Sequence, residues 1–216
     1  MEYLFGKEKE ENLKSVEEFL KQQLSESRFV HTLGVKEEIS RMGEIFLPNE
    51  IYELQIAALL HDVTKQYPHK KQLQLCEKFG IILNTADISA KAVIHSRTGA
   101  YFAYEKFPLL VSEKISSAIY KHTLASENMS TFDKLLFLSD ITEKNRTYKF
   151  SVSVRDEFWS EVNGKTPCEA MTVLDKIILK VLDRTIENLV QDGKIISMDT
   201  ILARNAFLTE NSYQVK

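Results

Sequence analysis

Residues 48–62 read Pro-Asn-Glu-Ile-Tyr-Glu-Leu-Gln-Ile-Ala-Ala-Leu-Leu-His-Asp, and this stretch decides the fold. Pro48-Asn49-Glu50 marks a helix start, since proline's fixed φ suits a first helical turn. Ile51, Leu54, Ile56, Ala57, Leu59 and Leu60 then spread apolar side chains over most of the circumference, which predicts a central, largely buried helix. His61 and Asp62 stand at its C-terminal end. An imidazole and a carboxylate placed where an apolar helix would simply continue are costly unless something coordinates them, so the pair suggests a metal site.

Helical spacing continues on both sides. Leu13, Val16, Phe19 and Leu20 form one stripe, and Leu24, Phe29, Val30 and Leu33 resume it after Ser25-Glu26-Ser27, predicting two helices before residue 47. Tyr67-Pro68-His69 breaks the pattern, with His69 read as a solvated loop residue, and Lys70 to Phe79 reads as a short amphipathic helix stopped by Gly80. Residues 86–105 read as one helical stretch that holds His95. Ser112 is a candidate N-cap for a helix ending near His122-Thr123, residues 132–140 carry an apolar run ending at Asp140, and Glu169 to Gln191 is the last long helix. Its leucines and isoleucines are either core or a homodimer surface, and Phe158 and Trp159 read as packing residues. No internal repeat or low-complexity segment is present. The expected architecture is all-α, a helical bundle in one domain.

Composition agrees. A length of 216 residues fits a single core, and seven glycines with four prolines leave few turns for β structure. The net charge of −3 gives no global attraction to nucleic acid or to an anionic membrane. Cys76 and Cys168 form no paired spacing, and no run approaches the ~18 apolar residues that span a bilayer. A soluble protein of the reducing cytoplasm is expected, with a small-molecule partner.

Four residues, His31, His61, Asp62 and Asp140, fall near the polar ends of apolar runs on three predicted helices, which is how bundles build interior metal sites. Imidazole with carboxylate suits iron, manganese, zinc or cobalt better than calcium, and four protein ligands leave positions open for water and substrate. His95 and His122 add two nitrogen donors, for a second metal or for a phosphate. Lys65, four residues after His61 and read as one helical turn on, is placed to reach a phosphate. So are Arg28, three before His31, and Arg146, six after Asp140. Any one of these residues alone is more often an ordinary core or surface group.

The ordered blocks Arg28-Phe-Val-His31, Ala57-Ala-Leu-Leu-His61-Asp-Val-Thr-Lys65, Ile94-His95-Ser96, Lys121-His122-Thr123 and Leu138-Ser-Asp140-Ile-Thr-Glu143-Lys-Asn-Arg146 resemble the HD superfamily of metal-dependent phosphohydrolases. Within it they are similar to the YqeK-type symmetrical bis(5'-nucleosyl)-tetraphosphatases. The resemblance runs from about Arg28 to Arg204-Asn205, with two departures: Ser139 stands where relatives commonly carry alanine, and Ser197-Met198-Asp199-Thr200 replaces a more usual His-Pro-Asp-Thr. It implies an HD-type bundle over residues 25–205, with residues 1–24 as a helical extension packed on it and 206–216 as a tail.

The activity implied is symmetrical hydrolysis of diadenosine tetraphosphate to two ADP, by attack of a metal-activated water on phosphorus. His31, His61, Asp62 and Asp140 would hold a divalent or mixed-valence transition metal, iron foremost, with His95 and His122 as ligands of a possible second ion, giving one or two ions per chain. Catalytic roles are implied for Asp62, Lys65, His95 and His122. Substrate contacts are implied for Arg28, Asp62, Lys65, His95, His122, Thr123, Asp140, Arg146, Ile196, Asp199 and Thr200. Two other readings stay open, an HD-fold nucleotidase or other nucleotide phosphohydrolase, and a nucleotide-sensing module of low activity.

Overall fold

The structure, a computed structural model, describes residues 2–89 and 93–213. It contains eleven α-helices and one 3-10 turn among these residues, and no strand. Helices α1 (Glu2–Gln23) and α2 (Glu26–Phe46) part at Ser25, whose side chain caps α2 by accepting from the Arg28 amide at 3.4 Å. Gln66, from the turns that follow the next helix, ties down this junction: its carbonyl accepts from the Ser25 amide at 2.7 Å and its NH2 donates to Ser25 Oγ at 3.0 Å.

Helix α3 (Ile51–Leu60) is the pivot of the bundle and follows the 3-10 turn Pro48–Glu50. Leu54 and the whole run Ile56 to Leu60 have no exposed surface, as a helix apolar on every side requires. It packs against α1, α2, α7 (Glu113–Lys121) and α8 (Thr131–Thr142). Ser112 caps α7 through the Ile115 amide, and Ser130 with Asp133 forms a capping box on α8. The long α10 (Pro167–Gln191) lays Ala170, Val173, Leu174, Ile177, Ile178, Val181 and Leu182 on the core.

Elsewhere the chain departs from local expectation. Helix α3 ends at Leu60, and residues 61–66 wind in tight turns closed by bonds from Val63 to Leu60 and from Lys65 to Asp62, so Lys65 does not lie on a continuing helix. Tertiary bonds hold these turns: the Thr64 hydroxyl donates to the His95 carbonyl at 3.0 Å, and Gln72 donates to the Thr64 carbonyl at 2.6 Å. His69 opens α4 (His69–Lys78) behind the proline instead of lying in a loop, and α4 stops at Gly80, whose φ of +64° favours glycine.

The single stretch expected over 86–105 divides into α5 (Thr85–Ser89) and α6 (Ile94–Lys106). Asn84 starts the first of them by exchanging bonds with Asp87. Two further helices, α9 (Lys149–Val162) and α11 (Met198–Tyr213), carry weak local patterns. The first buries a stripe in which serine and valine take the place of leucine, and the second anchors on Thr200, Ala203 and Phe207. Helix α11 therefore continues through residues 206–213, a stretch the sequence presents as a tail. Among the described residues no helix is long and apolar enough to cross a membrane.

The fold places one test on α3. Leu59→Ala removes a wholly buried side chain from the pivot. It should cost about 2–5 kcal/mol, out of a total that for natural domains is about 5–15 kcal/mol. Urea unfolding should show a lower midpoint with an unchanged m-value; a midpoint equal to that of the parent would mean α3 is not the pivot.

Candidate metal centre

Two histidines are presented by the same local device. His61 is the C-cap of α3 and His122 the C-cap of α7. Each turns its ring back on its own helix, where Nδ1 donates to a carbonyl three residues earlier, Ala58 at 2.6 Å and Ile119 at 2.7 Å. Carbonyls of a last turn lack intrahelical donors, so the rings satisfy the helix while the helix fixes the tautomer. In both cases the Nε2 lone pair faces away from the helix. His31, in α2, reaches the same arrangement through a side chain, with Nδ1 donating to Glu143 Oε1 at 3.1 Å.

The free nitrogens converge. Nε2 of His31 lies 3.0 Å from Asp140 Oδ1 and 3.9 Å from Asp62 Oδ2, and Nε2 of His61 lies 3.4 Å from Asp62 Oδ2 and 3.8 Å from Asp140 Oδ1. Ligand atoms of His31, His61 and Asp140 all fall within 4.8 Å of one another, as do those of His61, Asp62 and His122. His31 Nε2, His61 Nε2 and Asp62 Oδ1 are buried and make no hydrogen bond. Each orphaned polar atom of this kind costs about 1–3 kcal/mol, and acceptors facing acceptors at these distances repel. A cation between them removes both penalties. The donor set, imidazole nitrogen with carboxylate oxygen, fits a divalent transition-metal ion.

Electrostatics point the same way. Burial works against charge on Asp140, yet His31, His61 and Arg146 outweigh it and hold the carboxyl well below its usual range. Asp62 is likewise held low against its burial by the surrounding imidazoles, His61 first. Burial also opposes charge on His31, but its contacts with Asp140 and Glu143 leave that imidazole raised, the mark of a place that draws positive charge. Arg28 donates to Asp62 Oδ2 at 2.8 Å, and Arg146 donates to Asp140 Oδ1 at 2.8 Å and to its carbonyl at 3.1 Å. These guanidiniums stand on the solvent side. With His31, Glu143, Asn145 and Tyr148 they line a cleft of about 290 Å³ beside the buried cluster.

On the opposite edge His95 is the meeting point. Its Nε2 lies 3.1 Å from Asp62 Oδ1, 3.0 Å from Lys65 Nζ, and 3.2 Å from both His122 Nε2 and the Thr123 hydroxyl. Burial drives the ring down to about 4 against the pull of Asp62, so it is neutral at pH 7 and accepts from the Lys65 ammonium. His122 is lowered by burial as well.

The structure thus brings together His31, His61, Asp62, His95, His122 and Asp140, with Arg28, Lys65, Thr123 and Arg146 at the rim. Three other candidate residues lie apart from the cluster. Asp199 accepts from Arg97 Nη2 at 2.9 Å, while Arg97 holds Asp87 through a second pair at 2.7 Å. The Thr200 hydroxyl donates to the Leu124 carbonyl at 3.0 Å and Ile196 is half-buried, so this segment meets the backbone of the loop after His122 through the Thr200 side chain. Ser139, one of the two departures, is buried and spends its hydroxyl on the Leu136 carbonyl at 3.1 Å. Sequence reading gave no role to Glu143, because its partner His31 lies 112 residues away.

An all-helical centre that gathers imidazoles and carboxylates under a rim of arginine and lysine defines a metal-dependent phosphohydrolase class of site. The HD domain family matches residues 28–186, and the chain belongs to it. It is similar to two proteins named symmetrical bis(5'-nucleosyl)-tetraphosphatase. The one from Halalkalibacterium halodurans is 26% identical over 89% of this chain and 95% of the relative, and the one from Bacillus subtilis is 26% identical over 86% and 92%. A Clostridium acetobutylicum crystal structure, described as a predicted HD superfamily hydrolase involved in NAD metabolism, superposes with a TM-score of 0.81 at 27% identity, covering 91% of this chain and 97% of that one.

Asp87 and Arg97 are both nearly buried, whereas the Asp199 side chain is 42% exposed. Arg97→Met should therefore strand Asp87 and destabilise the protein by about 3–5 kcal/mol, while Asp199→Asn should cost under ~1 kcal/mol. Equal losses in thermal unfolding would contradict a structural role centred on the Arg97–Asp87 pair.

Proposed function

We propose that this protein hydrolyses diadenosine tetraphosphate symmetrically, giving two ADP. The observation that carries the reading is the buried set of partnerless ligand atoms under a cationic rim, in a chain whose full-length relatives bear that enzyme's name. His31, His61, Asp62 and Asp140 would hold one divalent transition metal, iron foremost. When bound, such an ion neutralises phosphate charge and supplies a nucleophilic water at neutral pH.

The chain's own groups do the rest. Hydrolysis breaks the central P–O–P bridge, water's oxygen joins one phosphorus, and a proton must reach the departing oxygen of the other ADP. Arg28 and Arg146 each bond a cluster carboxylate and line the cleft, where they would grip the outer phosphates. Lys65, whose ammonium lies 3.0 Å from His95 Nε2 at the edge of the cluster, would hold and protonate the leaving oxygen. The Thr123 hydroxyl, 3.1 Å from His122 Nε2, would orient the same phosphate.

His95 and His122 would be the ligands of a second ion: their Nε2 atoms lie 3.1 and 3.5 Å from Asp62 Oδ1, and ligand atoms of His61, Asp62 and His122 fall within 4.8 Å of one another. Catalysis is assigned to residues 25–205, with residues 1–24 an extension whose Val16 and Leu20 enter the core. A reducing cytoplasm suits the exposed, unpaired Cys168.

Metal-loaded protein incubated with a nucleotide panel should cleave diadenosine tetraphosphate to ADP alone. Cleavage of a mononucleotide with the dinucleotide untouched would move the reading to a nucleotidase. Asp140→Ala should lose at least ~10²-fold in rate and bind less metal per chain than the parent, by elemental analysis. One metal per chain in a fully active parent would overturn the assignment of His95 and His122 to a second ion.

A further inference from the structure

Glycine in a helix interior costs about 1 kcal/mol relative to alanine, so a buried one calls for a reason. Gly34 sits inside α2, three residues after His31, and is buried. A Cβ added there would overlap Glu143 Oε2 and stand 2.7 Å from Asn145 Nδ2 and 3.0 Å from Glu143 Cδ. The helix forgoes a side chain at the point where that carboxylate lies against it.

Glu143 is held on every side. It is the C-cap of α8, at φ −56° and ψ 149°, where the chain leaves the helix and turns its side chain back toward α2. Only 1% of the residue is exposed. Oε1 accepts from His31 Nδ1 at 3.1 Å, and Oε2 accepts from the Asn145 amide at 2.6 Å. Arg155, from α9, clamps the turn by donating to the carbonyls of Thr142 at 3.2 Å and Glu143 at 2.9 Å. Both carboxylate oxygens are thus committed, and the His31 ring cannot flip without abandoning one of them.

We propose that Glu143 is the positioning residue for His31 and that Gly34 is the opening in α2 that admits it. The proposal rests on the reading of His31 as a metal ligand. His61 and His122 give their Nδ1 protons to neutral carbonyls, whereas His31 gives its own to an anion. A carboxylate behind Nδ1 makes Nε2 the stronger donor and adds negative charge behind the cluster.

The test is Co²⁺ affinity of the full chain, measured by competition with a chromophoric chelator and checked by the visible absorption of the bound cobalt. Glu143→Ala and Gly34→Ala should each weaken binding about 10–100-fold and alter the band, and Glu143→Gln, which keeps an acceptor without the charge, should recover part of the loss. Because alanine favours a helix over glycine, a loss in Gly34→Ala accompanied by an undiminished melting temperature separates positioning from folding. In a His31→Ala background, Glu143→Ala should have no further effect. If His31→Ala alone leaves Co²⁺ binding intact, the metal-site reading itself fails. If His31→Ala weakens binding while Glu143→Ala, Glu143→Gln and Gly34→Ala stay within threefold of the parent, or if the two losses simply add, the positioning role is overturned and the metal site stands.

Discussion

Asp62 is charged and almost completely buried, and much of the molecule is arranged to make that tolerable. An unpaired carboxylate in a protein interior is prohibitive, so positive and donor groups must come to it from several directions. Arg28 arrives from the first turn of α2, Lys65 from the turns after α3, His95 from α6 and His122 from the end of α7. Each needs its own element held in place. The Gln66 clasp on Ser25 fixes the start of α2, and the Thr64 bond to the His95 carbonyl fixes α6 against the turns. The apolar pivot supplies the rigid floor from which the carboxylate projects.

Much of this was legible in the chain. The run from Ile51 to Leu60 shows a central helix because nothing in it is polar enough to face water for long, and His61-Asp62 shows where that helix must stop being only structural. His31, His61, Asp62 and Asp140 were legible from their places at the ends of apolar runs on three helices, and the ordered blocks of the family resemblance added His95 and His122. Helix α10 was legible because leucine and isoleucine repeat over many turns. What escaped were features made by distant partners. Helix α9 buries Ser151, Val154 and Val162 beside Phe158, a stripe with only one large residue to carry a periodic signal. Asp199 is drawn to Arg97 across 102 positions, and Glu143 to His31 across 112. Local pattern carries no trace of such pairs. Gly34 sits in a helix with no local reason in the sequence, because its cause lies in a carboxylate from another element.

The cluster and its rim differ in kind. The cluster holds the orphaned nitrogens and oxygens, which call for a cation. Its rim holds Arg28 and Arg146 on the cleft side and Lys65 at the His95 edge, which call for an anion. A polyphosphate satisfies the second only if the first is already satisfied, since the carboxylates otherwise compete for the same guanidiniums.

That competition is sharpened by where the ligands sit on their helices. His61 caps the end of α3, His122 the end of α7, and Asp140 lies in the last turn of α8. Three helices therefore present their C-terminal ends to one point, and each such end carries roughly half a negative charge from its aligned peptide dipoles. The backbone itself makes this spot repellent to a polyanion and attractive to a cation. A cation in the cluster therefore offsets two carboxylates, Asp62 and Asp140, and three helix ends at once, and the part owed to the helix ends is one that no side-chain substitution can remove.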